Sequence, residues 1–206
     1  MRQSLACLTA PAMIVAAAAL SGCVQSGGSF DEAPAMRWDH RPEAADWTKA
    51  AISAMATDGA VLATTVPHDI ERFCPNYAEA SLEERQAFWS GLFSALAQYE
   101  STWNPKASGG GGAWVGLLQI APSTARAYSC DATSSSGLKD GAANVSCAVK
   151  IAARQVPRDN AIVESGAPGW EGLARDWAPM RSSAKVSAMA AWTSKQSYCV
   201  KPGARA

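Results

Sequence analysis

The chain has 206 residues, of which 48% are hydrophobic and 17% charged. That composition excludes an intrinsically disordered protein and fits one packed domain with a short appendage. Lys plus Arg and Asp plus Glu each number 18, so the formal net charge is zero. No basic excess remains to neutralise a phosphate backbone, and no nucleic-acid partner is expected.

Arg2 precedes an apolar, Ala-rich stretch from Leu5 to Leu20, too short and too interrupted for a good membrane-spanning helix. Leu20-Ser21-Gly22-Cys23 follows, which resembles a bacterial lipobox. The resemblance implies a signal peptide over residues 1–22 and a lipid on Cys23, the first mature residue. It places the protein in the periplasm, anchored in a membrane. Val24, where Asp would signal retention, points to the outer membrane. Residues 23–44, with Gly27, Gly28, Pro34 and Pro42, read as a flexible tether. Residues 45–206 are left for the domain, expected to be a monomer.

If Cys23 carries lipid, four mature cysteines remain, an even number in an oxidising compartment. Of the three possible pairings we favour Cys130–Cys147 and Cys74–Cys199. The first closes a short loop and the second ties the end of the domain to its beginning. A zinc site is the competing reading. It lacks a Cys-x-x-Cys pair, and His40 and His68 are not spaced like ligands, so no metal or other cofactor is expected.

The first predicted helix runs from Trp47 to about Thr57, stopped by Asp58-Gly59, and residues 66–80 read as loop. Ser81-Leu82-Glu83-Glu84 forms a capping box. Behind it Leu82, Trp89, Leu92, Phe93, Leu96 and Tyr99 fall at helical spacing. The helix carries Glu100 in its last turn and ends at Asn104-Pro105. Gly109 to Gly112 is a glycine run without the Lys-Ser/Thr of a phosphate loop. Pro122 starts a short helix to about Tyr128. A longer one spans Asp140 to about Val156, with Val145, Ala148, Val149, Ala152 and Val156 as its buried stripe. Residues 170–177 and 185–197 are further helical candidates. Trp38, Trp47, Trp89 and Trp170 read as packing residues. At most a small β-hairpin lies within residues 106–121. The fold class is mainly α.

The segment Glu100-Ser101-Thr102-Trp103-Asn104-Pro105, then Gly116-Leu117-Leu118-Gln119-Ile120, then Pro122-Ser123-Thr124-Ala125 carries the chemistry. It resembles the catalytic segment of the soluble lytic transglycosylase family. That family's pattern is Glu-Ser-x-aromatic-Asn/Asp-Pro, a small-residue loop, Gly-Leu-Met-Gln-Ile/Leu, and a helix opening Pro-x-Thr-Ala. A weaker likeness runs through Asn144 to Ala190-Ala191-Trp192-Thr193, so that the resemblance covers roughly residues 85–200. It implies a lysozyme-like α+β fold with a glycan groove, and peptidoglycan strands as the substrate. Glu100 would be the catalytic acid, with Ser101, Ser108, Gln119 and Trp192 binding or positioning the glycan. Two departures stand out: Ser108 is only adjacent to the family's loop serine, and Trp192 stands where the family has tyrosine.

Cleaving a glycosidic bond needs an acid to protonate the leaving oxygen. The aromatic neighbours Tyr99 and Trp103 would raise the Glu100 pKa and keep its proton in place. Most glycosidases use a second carboxylate, yet none lies between Glu100 and Asp131. A lytic transglycosylase does not need one. There the 6-hydroxyl of N-acetylmuramic acid attacks its own C1 and yields a 1,6-anhydro sugar. Two rivals remain. One is a lysozyme-type hydrolase drawing on Asp131, Asp140, Asp159 or Asp176. The other is a silent peptidoglycan-binding lipoprotein.

Overall fold

The computed structural model describes residues 33–164 and 168–201. The signal segment 1–22, Cys23 and the tether as far as residue 32 lie outside the described residues. In chain order the α-helices are α1 (Ala44–Met55), α2 (Ala60–Thr64), α3 (Ile70–Phe73), α4 (Leu82–Ser101), α5 (Pro122–Ala127), α6 (Gly141–Asp159) and α7 (Ser183–Thr193). Strands β1 (Ser108–Gly109) and β2 (Trp114–Val115) form one antiparallel hairpin. Among the described residues no helix is long and apolar enough to cross a membrane.

The axis of the domain is α4. Its capping box forms as the sequence predicts: Ser81 Oγ accepts from the Glu84 N–H at 3.2 Å, and Glu84 Oε2 accepts from the Ser81 N–H at 2.9 Å. Every residue from Gln86 to Ala97 is buried, so this helix faces core on all sides. Ser90 and Ser94 tolerate burial because their hydroxyls donate to the Gln86 and Gly91 carbonyls of the same helix. Helices α1, α2 and α7 pack on α4, and α6 lies along α1 and α2. The predicted stripe of α6 is fully buried, and Asp140 caps it by accepting from the Ala143 N–H at 2.9 Å. Both favoured disulfides are present, Cys74–Cys199 and Cys130–Cys147.

Residues 33–43 are not tether. Met36 and Trp38 are buried, the Arg37 N–H donates to Ser94 Oγ at 2.9 Å, and Tyr198 Oη donates to the Ala35 carbonyl at 3.2 Å. Turn-forming Pro34 and Pro42 suggested a linker, but two large apolar side chains between them decide the packing. Residues 66–80 hold α3 and a 3₁₀ turn at Tyr77–Glu79, both too short to leave a periodic signature. Helix α4 stops at Ser101, three residues before Asn104-Pro105, because Thr102 and Trp103 adopt left-handed backbone angles. Only a 3₁₀ turn, Gly172–Arg175, forms where a helix was expected over residues 170–177, and Trp170 is 54% exposed rather than core.

The two disulfides close loops of very different length, with sequence separations of 125 and 17. In the chain-entropy view, replacing Cys74 and Cys199 by alanine lowers stability by about 5 kcal/mol, and replacing Cys130 and Cys147 by about 3 kcal/mol. Urea unfolding of the two double variants checks the order; an equal or inverted cost would contradict it.

Candidate active site

The last turn of α4 delivers Glu100 to the wall of a cavity of about 340 Å³, lined also by Trp114, Gln119, Asp176, Ala178 and Arg181. The opposite wall comes from the segment Gly116–Gln119, which has almost no regular structure to hold it. Side chains hold it instead. Asn144, fully buried on α6, accepts from the Leu118 N–H at 2.8 Å through Oδ1 and donates from Nδ2 to the carbonyls of Val115 and Leu138. Trp177 Nε1 donates to the Leu118 carbonyl at 3.0 Å, and Ser101 Oγ to the Leu117 carbonyl at 2.7 Å. Gly116 has φ +85°, and a Cβ there would lie 2.3 Å from Asn144 Nδ2, so only glycine lets the amide approach.

The electrostatics follow from this enclosure. Glu100 is half-buried, and desolvation pushes its pKa from 4.5 up to about 7, while the Lys185 ammonium pulls the other way. The carboxyl is therefore substantially protonated near neutrality. Asp176 lines the same cavity and is also raised, chiefly by desolvation, although the amide of Gln155 donates to its Oδ2 at 2.7 Å. Gln155 Nε2 also meets the Tyr128 hydroxyl, so Asp176 is linked through Gln155 to Tyr128. Among the described residues no group of three His, Cys, Asp or Glu side chains could hold a metal ion.

Of the residues picked from sequence, Glu100 and Gln119 share the cavity. Gln119 takes φ +48°, and its Nε2 donates to the Gly116 carbonyl at 2.9 Å, which fixes the amide at the wall. Three others are elsewhere. Ser101 is a strap between α4 and Leu117 rather than a lining residue. Ser108 is exposed: its pairing with Val115 turns it outward and leaves Gly109 facing the Gln119 amide. Trp192 is half-buried against Gly91 and lies 5.8 Å beneath the Arg37 guanidinium. Helix α7 meets α4 with Lys185 over Tyr99 and Trp192 at Gly91. Gly91 is nine residues before Glu100, about 13 Å along α4. Trp192 is therefore not a neighbour of Glu100.

The sequence reading missed Trp114 and Arg181 and named Asp176 only as one rival carboxylate among four. Trp114 is 51% exposed at the cavity rim. Its indole lies directly over Gly110, where an added Cβ would sit 2.0 Å from the ring. The glycine run thus gives this ring a bare backbone to lie on. A lone tryptophan two residues past the glycine run was the available signal.

Residues 78–162 match the family model of the transglycosylase SLT domain. That stretch is similar to a transglycosylase SLT domain. Its fold is similar to that of solved structures of Bd0314 DslA. Wild-type form 2 shares 27% identity at a TM-score of 0.73, covering 81% of this chain and 98% of that one. A Glu-to-Gln mutant of the same protein shares 28% at 0.73, covering 79% and 96%. None of the curated proteins matches. The SLT match takes in Glu100, Gln119 and Asn144 but ends before the wall made by Asp176, Ala178 and Arg181.

Two outcomes test the site. Asn144→Ala leaves the Leu118 N–H buried without its partner and strips a bond from two carbonyls, a cost of about 1–3 kcal/mol. Urea unfolding reads it; a cost below a few tenths would mean that Asn144 does not hold the wall. The second concerns Glu100. Between pH 4.5 and about 7 the folded chain holds a proton there that the unfolded chain has lost, so stability falls as pH rises through that window. Glu100→Gln therefore melts higher than wild type at pH 8, and the two converge at pH 4. Equal melting at both pH values would contradict the raised pKa.

Proposed function

We propose that the protein is a lytic transglycosylase cleaving the β-1,4 bond between N-acetylmuramic acid and N-acetylglucosamine of peptidoglycan strands. The likeness to the SLT domain supports a peptidoglycan-modifying activity of this type. The observation that carries the finer reading is Glu100, a carboxyl whose pKa of about 7 suits it to both proton donation and proton uptake. Glu100 protonates the glycosidic oxygen, and the N-acetylglucosamine leaves with that proton. The resulting carboxylate takes the proton of the muramic 6-hydroxyl while that oxygen bonds to C1, closing the 1,6-anhydro ring and regenerating the acid. Gln119 orients the sugar from the opposite wall, and Trp114 offers an apolar face to a pyranose ring. On this reading the domain acts as a monomer, is periplasmic, and is held to the outer membrane by a lipid on Cys23.

Asp176 favours a second reading. A carboxylate on the same cavity is what a hydrolase needs to activate water. Product mass separates the two, since an anhydro end is one water lighter than a reducing end. With purified sacculi we expect anhydro-muropeptides from the wild type, none from Glu100→Gln, and anhydro products still from Asp176→Asn. Reducing ends from the wild type, lost in Asp176→Asn, would establish hydrolysis instead. Sacculi left intact by the folded wild-type protein would leave a binding role.

A further inference from the structure

Only two aromatic side chains among the described residues are more than half exposed, Trp114 and Trp170. They are far apart in sequence, yet both line cavities that share Arg181. One is the Glu100 cavity. The other is a second hollow of about 240 Å³, lined among others by Arg72, Glu164, Trp170, Glu171 and Arg181. The two hollows therefore adjoin at Arg181.

Arg181 gives this junction a fixed shape. Its Nε donates to the Ala174 carbonyl at 2.7 Å and an Nη donates to the Arg175 carbonyl at 2.9 Å. So tethered, its guanidinium lies 5.3 Å from the Trp170 ring centre, a cation–π contact that holds one face of the indole to the protein. More than half of the side chain stays open to solvent. A large ring held in a fixed orientation at a hollow, with more than half of it open, presents a preformed apolar face to a ligand.

The charges of the second hollow say what it takes. Two arginines, Arg72 and Arg181, and two glutamates, Glu164 and Glu171, line it together with Val163, Met180 and Val186, so it carries no net charge and mixes polar with apolar groups. A strongly anionic or cationic ligand gains nothing there. A pyranose ring fits, with axial C–H groups for the indole face and equatorial hydroxyls for the surrounding polar groups.

We propose that Trp170, braced by Arg181, forms a second glycan subsite, which binds sugars of the strand beyond those bound beside Glu100. The proposal rests on the glycan-cleaving reading above but is tested by binding, without cleavage. In the Glu100→Gln background, isothermal titration calorimetry measures peptide-free peptidoglycan fragments of two and of four disaccharide units. The expected result is that adding Trp170→Ala weakens the octasaccharide at least tenfold, a loss five or more times that for the tetrasaccharide. Trp170→Phe restores most of the difference, because it keeps a flat ring. Equal loss at both lengths, no loss at either, or no binding of the octasaccharide by the parent would overturn the subsite. So would a Trp170 effect seen only with peptide-bearing fragments, which would assign the hollow to the peptide stem. Failure of the transglycosylase reading shows separately, as absence of anhydro products from the wild-type protein.

Discussion

The site depends on the hold that three side chains exert on one irregular stretch of backbone. Gly116–Gln119 lies mostly outside helix and strand, and its peptide groups are buried, so each needs a partner from elsewhere. Asn144 satisfies the Leu118 N–H, Trp177 the Leu118 carbonyl and Ser101 the Leu117 carbonyl. These come from α6, from the 3₁₀ region before α7, and from the end of α4. Elements that build the core thus also fix the distance between the turn bearing Glu100 and the segment bearing Gln119. The burial of α4 and the packing of α1, α2 and α7 around it give those side chains a rigid base.

The same enclosure sets the chemistry. A carboxyl at a helix end is ordinarily solvated and ionised. Here the loop wall, the Trp114 rim and the 3₁₀ wall with Asp176 withdraw Glu100 from water, and desolvation outweighs the attraction of Lys185. The folded state is penalised above neutral pH for holding that carboxylate, a cost confined to the residue that, on the proposed reading, moves the proton. The residue pair Glu100 and Asp176 differs in support. Asp176 is backed by Gln155 and Tyr128, whereas Glu100 has Lys185 as its nearby charge. Desolvation raises both carboxyls, but the Gln155 amide favours the ionised form of Asp176 and so opposes the rise there.

Much of this was legible in the chain. The capping box at Ser81, the stripe of α6, the two disulfides and the juxtaposition of Glu100 with Gln119 follow from local chemistry or ordered motifs, and all are present. What was not legible depends on contacts between distant segments. The backbone around Met36 looks like linker until Ser94 and Tyr198 are brought beside it. Trp192 matched a motif position in sequence, but the meeting of α7 with α4 carries it to Gly91. Trp170 read as core because tryptophan usually is; only the turn at Gly172 and the bond from Arg181 to Ala174 set it on the rim. Nothing local set Asp176 apart from Asp131, Asp140 and Asp159, since its place in the Glu100 cavity is decided by the chain's return after α6.

The central claim is that burial keeps the Glu100 carboxyl protonated near neutral pH. Carbon-detected NMR of protein labelled at glutamate side-chain carboxyls reads this directly, with the Glu100 resonance assigned by its loss in Glu100→Gln. The account predicts a titration midpoint near 7, well separated from those of the surface glutamates. A midpoint near 4.5, together with the others, would contradict it.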